Sequence, residues 1–172
     1  MERRSLESIV RALDAARVRY LIVGGLAVVA HGHTRFTGDV DVVLDFAGDN
    51  ALRAVEALAG LGYRPRAPIE MKEFADAAKR QSWISAKGMT VFSTWSSAHP
   101  ATEIDLFVES PFEFAGAYSR AARFEVCPGL VATFVSLADL IAMKRRAGRP
   151  VDLDDVRVLA SLNPPAGEQR HE

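Results

Sequence analysis

Residues 20–45 read YLIVGGLAVVAHGHTRFTGDVDVVLD, and this stretch decides the fold of the chain. Residues 21–23 and 40–44 are short apolar runs rich in branched side chains, which is typical of strands inside a sheet. Two glycines, Gly24 and Gly25, follow the first run directly, and a short helix is predicted to begin near Leu26. The stretch therefore predicts a strand, a glycine turn, a helix and a second strand, in that order.

Two aspartates open the second strand. Side chains alternate between the faces of a strand that rises about 3.3 Å per residue, so Asp39 and Asp41 lie on one face, about 6 to 7 Å apart at their bases. Two anions this close repel each other, and a divalent cation between them removes the repulsion. Hard oxygen ligands favour Mg²⁺ or Mn²⁺ over zinc. For the two aspartates alone, a solvated strand edge or a helix cap is the alternative.

The glycine pair predicts a phosphate-binding turn. A backbone without Cβ atoms can approach a phosphate closely, and the first N–H groups of the following helix point at the anion with the positive end of the helix dipole. A Gly-Gly after a strand is more often an ordinary turn. The Asp-x-Asp pair that follows fourteen residues later strengthens the phosphate interpretation.

A third carboxylate is expected from residues 102–109, which alternate polar and apolar side chains. A strand here places Glu103, Asp105, Phe107 and Glu109 on one face. We choose Asp105, because large apolar residues flank it on both sides, whereas the two glutamates lie nearer the strand ends, where exposed charge is ordinary. The alternative is an exposed strand carboxylate without a ligand.

These motifs together resemble a known family. The glycine pair, the spacer that ends in Arg35 and Thr37, the Asp-x-Asp pair and Asp105 are similar to the minimal nucleotidyltransferases of the DNA polymerase beta superfamily. The resemblance is in particular to abortive-infection (AbiEii-type) enzymes, which act as toxins in toxin–antitoxin pairs, and to small antibiotic nucleotidyltransferases. Residues 140–155, LIAMKRRAGRPVDLDD, resemble the helix, turn and helix that close these domains. One departure is the Gly-Gly, where much of the superfamily has Gly-Ser, so a serine contact to phosphate is missing here.

The resemblance implies an α+β fold, in which a short mixed sheet is flanked by helices. It also implies a metal-dependent reaction, the transfer of a nucleoside monophosphate from a nucleoside triphosphate to a hydroxyl acceptor with release of pyrophosphate. Asp39 and Asp41 would bind both the nucleotide-bearing and the catalytic metal, Mg²⁺ or Mn²⁺. Asp105 would ligate the catalytic metal and assist deprotonation of the acceptor. RNA, a protein and a small molecule stay open as acceptors, and a partner antitoxin stays open too. The alternative is a catalytically inactive nucleotide-binding or protein-interaction module of the same fold.

Six residues are the expected nucleotide contacts: Gly24, Gly25, Arg35, Thr37, Lys144 and Arg149. The guanidinium of Arg35 suits phosphate oxygens, although a surface arginine is an equal alternative. Lys144 also lies at the C-terminal end of a helix predicted over 136–147, where positive charge is favourable for local reasons. Asp152 and Asp155 are interpreted as caps of the helix that follows.

The rest of the chain is assigned from periodicity and turn signals. Helices are predicted over 5–16, 50–61 and 71–78, strands over 81–86, 89–94 and 103–108, and a hairpin over 124–134. Lys87 and Gly88 are predicted to form a tight turn between two of these strands. His31 and His33 are interpreted as polar loop residues and not as zinc ligands, because no cysteine or carboxylate accompanies them at ligand spacing.

Length and composition limit the classes of protein. We expect a single nucleotidyltransferase domain over residues 1–162 and a flexible tail over residues 163–172. The net charge is −1, from 21 Lys and Arg against 22 Asp and Glu, so no overall basic field indicates nucleic-acid binding. A basic cluster within residues 64–80, with two tryptophans nearby, leaves RNA contact open. The single cysteine favours a reducing cytoplasm, and no apolar run is long enough to cross a membrane.

Overall fold

A computed structural model of the chain describes residues 1–164, and within them one mixed sheet of seven strands is flanked by helices. This architecture confirms the predicted α+β class. The strands are β1 (Tyr20–Ile22), β2 (Asp39–Leu44), β3 (Arg64–Pro65), β4 (Val91–Trp95), β5 (Glu103–Phe107), β6 (Ala122–Cys127) and β7 (Leu130–Phe134). The helices are α1 (Arg3–Ala15), α2 (Gly24–Ala30), α3 (Asn50–Gly60), a 3₁₀ helix (Met71–Ala75), α4 (Ala77–Lys87), α5 (Phe114–Ser119), α6 (Leu137–Ala147) and α7 (Pro150–Leu162).

The strand order, β3-β4-β5-β2-β1-β7-β6, puts β2 in the middle of the sheet. It is antiparallel to β1 and parallel to β5. In the ladder between β2 and β5, Asp41 stands directly opposite Asp105, and Asp39 stands opposite Glu103. The intervening Val40 is fully buried on the other face. The period of two thus separates an apolar face, which packs on the core, from a carboxylate face.

The helices cover the sheet with apolar faces and bring the C-terminal part of the chain to β2. Helix α1 buries Leu6, Ile9, Val10 and Leu13, a pattern that follows the helical period, and it contacts α3 and β7. Helix α2 packs against β2 and α6, and α6 packs against α7. The last two helices therefore lie beside the start of α2, where the glycine pair is found.

The strand predicted over residues 81–86 is wrong, because these residues belong to helix α4. Asp76 begins this helix by accepting hydrogen bonds from the backbone N–H groups of residues 78 and 79, and Gly88 ends it with a φ of 60°. Arg80 and Trp83 are buried on one side of it, at helical spacing. Gly88 is consequently a helix terminus and not the hairpin turn that we predicted.

Most of the remaining elements agree with the sequence to within a few residues. The helix predicted over 71–78 is instead a 3₁₀ helix over Met71–Ala75 followed by the first residues of α4, and β3 was not predicted. The hairpin over residues 124–134 is present as β6 and β7. No prediction was made for α5, which is absent from the sequence assignments. The single domain over 1–162 remains a prediction, and residues 165–172 of the predicted tail lie outside the described residues.

Candidate active site

Three aspartates lie on the carboxylate face of the two parallel strands, and two of them are neighbours. Asp41 and Asp105 are neighbours across the ladder and are half-buried, whereas Asp39, at the start of β2, is exposed. Asp105 also lies opposite Ser93 of β4, which hydrogen-bonds to its carboxylate. The parallel pairing of β2 and β5 is what brings Asp41 and Asp105 together across 64 residues of sequence.

The ionised forms of two of these aspartates are disfavoured. Burial, followed by the charges of Asp105 and Asp39, raises the pKa of Asp41 from 3.8 to about 6, although the Gly25 backbone N–H and Lys144 act in the opposite direction. Burial likewise raises the pKa of Asp105, in spite of its hydrogen bond from Ser93. A cation placed between such carboxylates would remove much of this cost.

Both glycines allow side chains to approach the backbone closely. Helix α2 begins at Gly24, two residues earlier than predicted, and Gly24 has a φ of 62°. A Cβ atom on Gly24 would stand 1.9 Å from Oδ2 of Asp41, and one on Gly25 would stand 2.7 Å from Oγ1 of Thr37. No residue other than glycine fits at these two positions without displacing Asp41 or Thr37.

The three candidate phosphate-binding cations are joined by two buried carboxylates of α7. The Lys144 ammonium lies 2.9 Å from Oδ1 of Asp152 and 2.7 Å from Oδ2 of Asp155. Arg149 donates to both carboxylate oxygens of Asp152, at 2.6 and 3.1 Å. Arg35 donates from Nη2 to Asp155 at 3.2 Å. Arg35 is therefore not the ordinary surface arginine that we gave as its alternative.

The Nε of Arg35 has an incomplete environment. It is buried without a hydrogen bond among the described residues, yet it lies 3.0 Å from Oδ1 of Asp155. The two findings agree if the atoms are close while the N–H bond is directed elsewhere, so the contact is an ion pair and not a hydrogen bond.

The interpretation of Asp152 and Asp155 as helix caps is wrong. Helix α7 has Pro150 in its first turn and follows Arg149, with no side-chain cap. Both aspartates are only 1% exposed and accept hydrogen bonds from cations. Burial alone would raise the pKa of Asp152, but hydrogen bonds from Arg149 and Lys144 lower it to about 2. Asp152 is consequently an ion-pairing residue that stays ionised.

All nine residues that we predicted from sequence line one cavity of about 650 Å³. They are Gly24, Gly25, Arg35, Thr37, Asp39, Asp41, Asp105, Lys144 and Arg149. The cavity also has an apolar wall, which the sequence analysis missed: Phe107, Pro111, Leu140, Met143, Ala147 and Val151. A cavity that has carboxylates and cations at one end and an apolar wall beside them can accommodate a ligand with both ionic and aromatic parts.

The carboxylates fit a metal that is shared with a ligand better than one enclosed by protein. Among residues 1–164, no three His, Cys, Asp or Glu side chains are grouped closely enough to hold a metal ion by themselves. Mg²⁺ usually keeps several waters and binds one or two protein carboxylates together with substrate phosphates. The oxygen-only donors Asp41 and Asp105, adjacent and partly buried, are consistent with that mode of binding.

The basic cluster within residues 64–80 does not form a free basic surface. Arg66 pairs with Glu103, Lys72 with Glu56 and Lys79 with Glu73. Arg80 is buried, with its guanidinium 3.9 Å from the ring centroid of Phe46. Trp83 is part of the core and Trp95 is 44% exposed. The paired charges weaken the case for RNA contact at this surface.

His31 and His33, which follow helix α2, make structural contacts. Nε2 of His31 lies 2.9 Å from the carbonyl oxygen of Val135, and Nε2 of His33 lies 3.6 Å from Oδ1 of Asp155. Neither takes part in a cluster of metal ligands among the described residues. His33 instead borders the ion-pair network.

Comparisons with known proteins identify the fold. No family model matches the sequence, and no curated protein matches it. The lincosamide antibiotic adenylyltransferase LnuA, in a lincomycin-bound crystal structure, is similar with a TM-score of 0.61 and 14% identity, over 93% of this chain and 97% of that chain. The antibiotic-resistance factor ANT(2'')-Ia is similar in its solution structure, with a TM-score of 0.58 and 17% identity over 91% of this chain and 80% of that chain. Its crystal structure in complex with adenylyl-2''-tobramycin gives a TM-score of 0.56 and 18% identity, over 92% and 87% of the two chains.

These similarities show that the chain has the nucleotidyltransferase fold that its motifs implied. At this level of identity they establish the fold alone. No helix among the described residues has the length and apolar character needed to cross a membrane.

Proposed function

We propose that this protein is a metal-dependent nucleotidyltransferase, which transfers a nucleoside monophosphate from a nucleoside triphosphate to a hydroxyl acceptor and releases pyrophosphate. The observation that carries the proposal is the composition of one cavity. Its polar end holds Asp41 and Asp105 side by side, with three cations on the adjoining helices and loop. Carboxylates for metal and cations for phosphate are the two electrostatic requirements of phosphoryl transfer.

The reaction assigns a role to each group. The acceptor oxygen forms a bond to the α-phosphorus, the bond from that phosphorus to the bridging oxygen breaks, and pyrophosphate leaves with the electron pair. The acceptor proton would pass to the carboxylate of Asp105, which stands beside Asp41 on the neighbouring strand. Arg35 and Arg149 compensate the charge of the triphosphate.

Magnesium or manganese would be held by Asp39, Asp41 and Asp105 together with phosphate oxygens. When bound, the metal stabilises charge on the attacking and leaving oxygens. Asp41 would be the central ligand of the three, because it lies between Asp39 on its own strand and Asp105 on the next. The backbone N–H of Gly25 lowers the pKa of Asp41 and so favours its ionised, ligating form.

Proteins of similar fold suggest which acceptors to test. LnuA is a lincosamide adenylyltransferase, and ANT(2'')-Ia has been observed with an adenylylated tobramycin. These similarities support small molecules among the three acceptor classes that the sequence leaves open, so small-molecule hydroxyls are tested beside RNA and protein hydroxyls. The toxin role that the sequence resemblance implies belongs to the same proposal, and growth arrest by the wild type but not by Asp41→Asn would support it.

Nucleotide binding and turnover test the proposal. The thermal midpoint is measured with each of the four nucleoside triphosphates, with and without Mg²⁺ or Mn²⁺, because a ligand of the native state raises the midpoint. Release of pyrophosphate is then followed with RNA, protein and aminoglycoside or lincosamide acceptors. Asp41→Asn should abolish turnover, while the exposed Asp154→Asn on α7 serves as a control for the loss of a negative charge.

The outcomes separate the two candidate functions. A metal-dependent rise in midpoint and pyrophosphate release, both lost in Asp41→Asn, would support the transferase. A metal-dependent rise without turnover with any acceptor would favour the inactive nucleotide-binding module. No rise with any nucleotide would reject both of these functions and would favour a protein-interaction module of the same fold.

A further inference from the structure

We propose that Asp152 and Asp155 are positioning residues, which hold the phosphate-binding cations in place from inside helix α7. The inference rests on the proposed function and adds two residues to it. Neither aspartate belongs to the three metal-binding candidates, and neither acts as a helix cap. Both instead form hydrogen bonds or ion pairs with Arg35, Lys144 and Arg149, the cations that line one end of the cavity. We call this end the phosphate end.

Asp152 fixes Arg149 while leaving it free to bind a ligand. Arg149 contacts the two carboxylate oxygens with Nε and Nη2, at 2.6 and 3.1 Å, in a two-point arrangement that sets the plane of the guanidinium. A guanidinium has five N–H donors, so about three remain for another acceptor. The Arg149 side chain is 70% exposed, whereas Asp152 is 1% exposed. The carboxylate is thus the fixed half of the pair, and the guanidinium is the half that a ligand can reach.

Asp155 fixes Arg35, which lies far from it in the sequence. It accepts from Nη2 of Arg35 at 3.2 Å, across 120 residues of sequence, and lies 2.7 Å from the ammonium of Lys144. Lys144 also contacts Asp152 at 2.9 Å, so the ammonium links the two carboxylates. With two of its three donors committed, Lys144 has at most one N–H for phosphate. Lys144 is mainly the buried centre of the network, and the two arginines are its ligand-facing ends.

The charges indicate that the two aspartates orient the cations and do not increase the attraction of the cavity for phosphate. Three cations and two carboxylates leave a net charge of +1, so the aspartates remove two thirds of the positive charge at the phosphate end of the cavity. If attraction of a triphosphate were the only requirement, neutral residues at positions 152 and 155 would serve better. A fixed guanidinium, in contrast, loses less conformational freedom when it binds and holds the reacting phosphate in register.

The opposite expectations for attraction and for positioning make the test direct. In Asp152→Asn, Lys144 keeps Asp155 as its partner, so the buried ammonium stays paired. Binding of each of the four Mg²⁺–nucleoside triphosphates is measured by isothermal titration calorimetry. Attraction alone predicts tighter binding in this variant. Positioning predicts weaker binding, with Kd raised about tenfold for the loss of a two-point charged hydrogen bond.

Two further variants control for charge and for stability. Asp154→Asn makes the same charge change on the same helix, at a 57% exposed side chain that pairs only with Arg157 among the described residues, and should leave Kd unchanged. Arg149→Lys keeps the charge at an exposed position but cannot form the two-point contact with Asp152. It should raise Kd by a similar factor while leaving the thermal midpoint of the free protein unchanged.

The action through Arg149 is tested by combining substitutions. If Asp152 acts by orienting Arg149, then Asp152→Asn should have no further effect on Kd in an Arg149→Ala background. Additive effects would contradict the positioning role, as would an unchanged or lower Kd in Asp152→Asn. If the wild type binds no metal–nucleotide, the proposed function fails and the inference fails with it. Binding by the wild type with no loss in Asp152→Asn and Arg149→Lys rejects the inference alone.

Discussion

Position 24 requires a residue that tolerates a positive φ and has no Cβ atom beside Asp41, and replacing Gly24 by alanine tests both requirements. An L residue at a φ of 62° costs about 1 to 2 kcal/mol. The added Cβ would stand 1.9 Å from Oδ2 of Asp41, so the carboxylate must move. Moving it takes the carboxylate away from the Gly25 N–H, which favours its ionised form, and an interaction of this kind with a charged group contributes about 1.5 to 3 kcal/mol. We expect Gly24→Ala to lower the free energy of unfolding by about 3 to 5 kcal/mol at pH 8.

Gly88→Ala is the matched control for backbone conformation. Gly88 has a φ of 60°, and a Cβ atom there would meet nothing within 4 Å. Alanine at this helix end therefore carries only the conformational cost, about 1 to 2 kcal/mol. Urea unfolding followed by circular dichroism measures both variants. Calorimetric titration with the Mg²⁺–nucleoside triphosphates then shows whether binding is lost in Gly24→Ala and kept in Gly88→Ala.

Two results would refute this reasoning. Equal losses of stability in the two variants would mean that Asp41 adjusts to the methyl group without cost, so that the close approach at Gly24 has no energetic role. Unimpaired metal-dependent nucleotide binding in Gly24→Ala would mean that the position of the Asp41 carboxylate does not matter for the ligand.

Two further substitutions test the charges of the site. Because the pKa of Asp41 is about 6 in the folded protein against an ordinary 3.8, the folded state holds that proton more tightly and stability falls as pH rises between these values. Asp41→Asn should therefore be more stable than the metal-free wild type by about 1 to 3 kcal/mol above pH 6, and equally stable near pH 4, in urea unfolding; a difference independent of pH would contradict this. Lys144→Met leaves Asp152 and Asp155 with one buried cation fewer, and should lower the free energy of unfolding by about 3 kcal/mol. The exposed Lys79→Met should have a much smaller effect, and equal effects would show that burial of the Lys144 network is unimportant.

The local part of the site could be predicted from the sequence. The side chains of a strand alternate between its faces, which places Asp39 and Asp41 on one face, and the conformational freedom of glycine predicts the turn at Gly24 and Gly25. Both signals lie within a short window of sequence. The choice of Asp105 rested on its apolar neighbours in a strand. The structure places it opposite Asp41, but the register of β2 and β5 that does so was not visible in the sequence.

Longer-range partners could not be predicted. The spacing of Asp152 and Asp155 at the start of a helix is typical of caps, and only the packing of α7 against α6 shows that Lys144 takes both carboxylates. The apolar wall of the cavity was missed because Leu140 and Met143 resemble core residues in sequence. Their presence beside the carboxylates depends on tertiary packing.

The helix α4 shows a different kind of error. Residues 81–86 contain Trp83 and Ile84 between polar residues, and such a short segment does not distinguish a strand from a helix. The signals that could have decided it lie outside the segment, at Asp76 and Gly88, which begin and end the helix. Reading the capping residues before the apolar pattern would have given the correct assignment.

The pairing of Arg35 with Asp155 also orders events during synthesis. The two residues are 120 positions apart, so the contact cannot form until α7 has been made. At about 5 to 20 residues per second, roughly 3 to 10 s separate the synthesis of the third carboxylate from that of Asp155. During this interval a nascent chain has its three candidate metal-binding carboxylates but lacks the carboxylates that pair with Arg35, Lys144 and Arg149. Under the proposed function, competence to bind nucleotide would therefore be acquired only after α7 has been made and has docked.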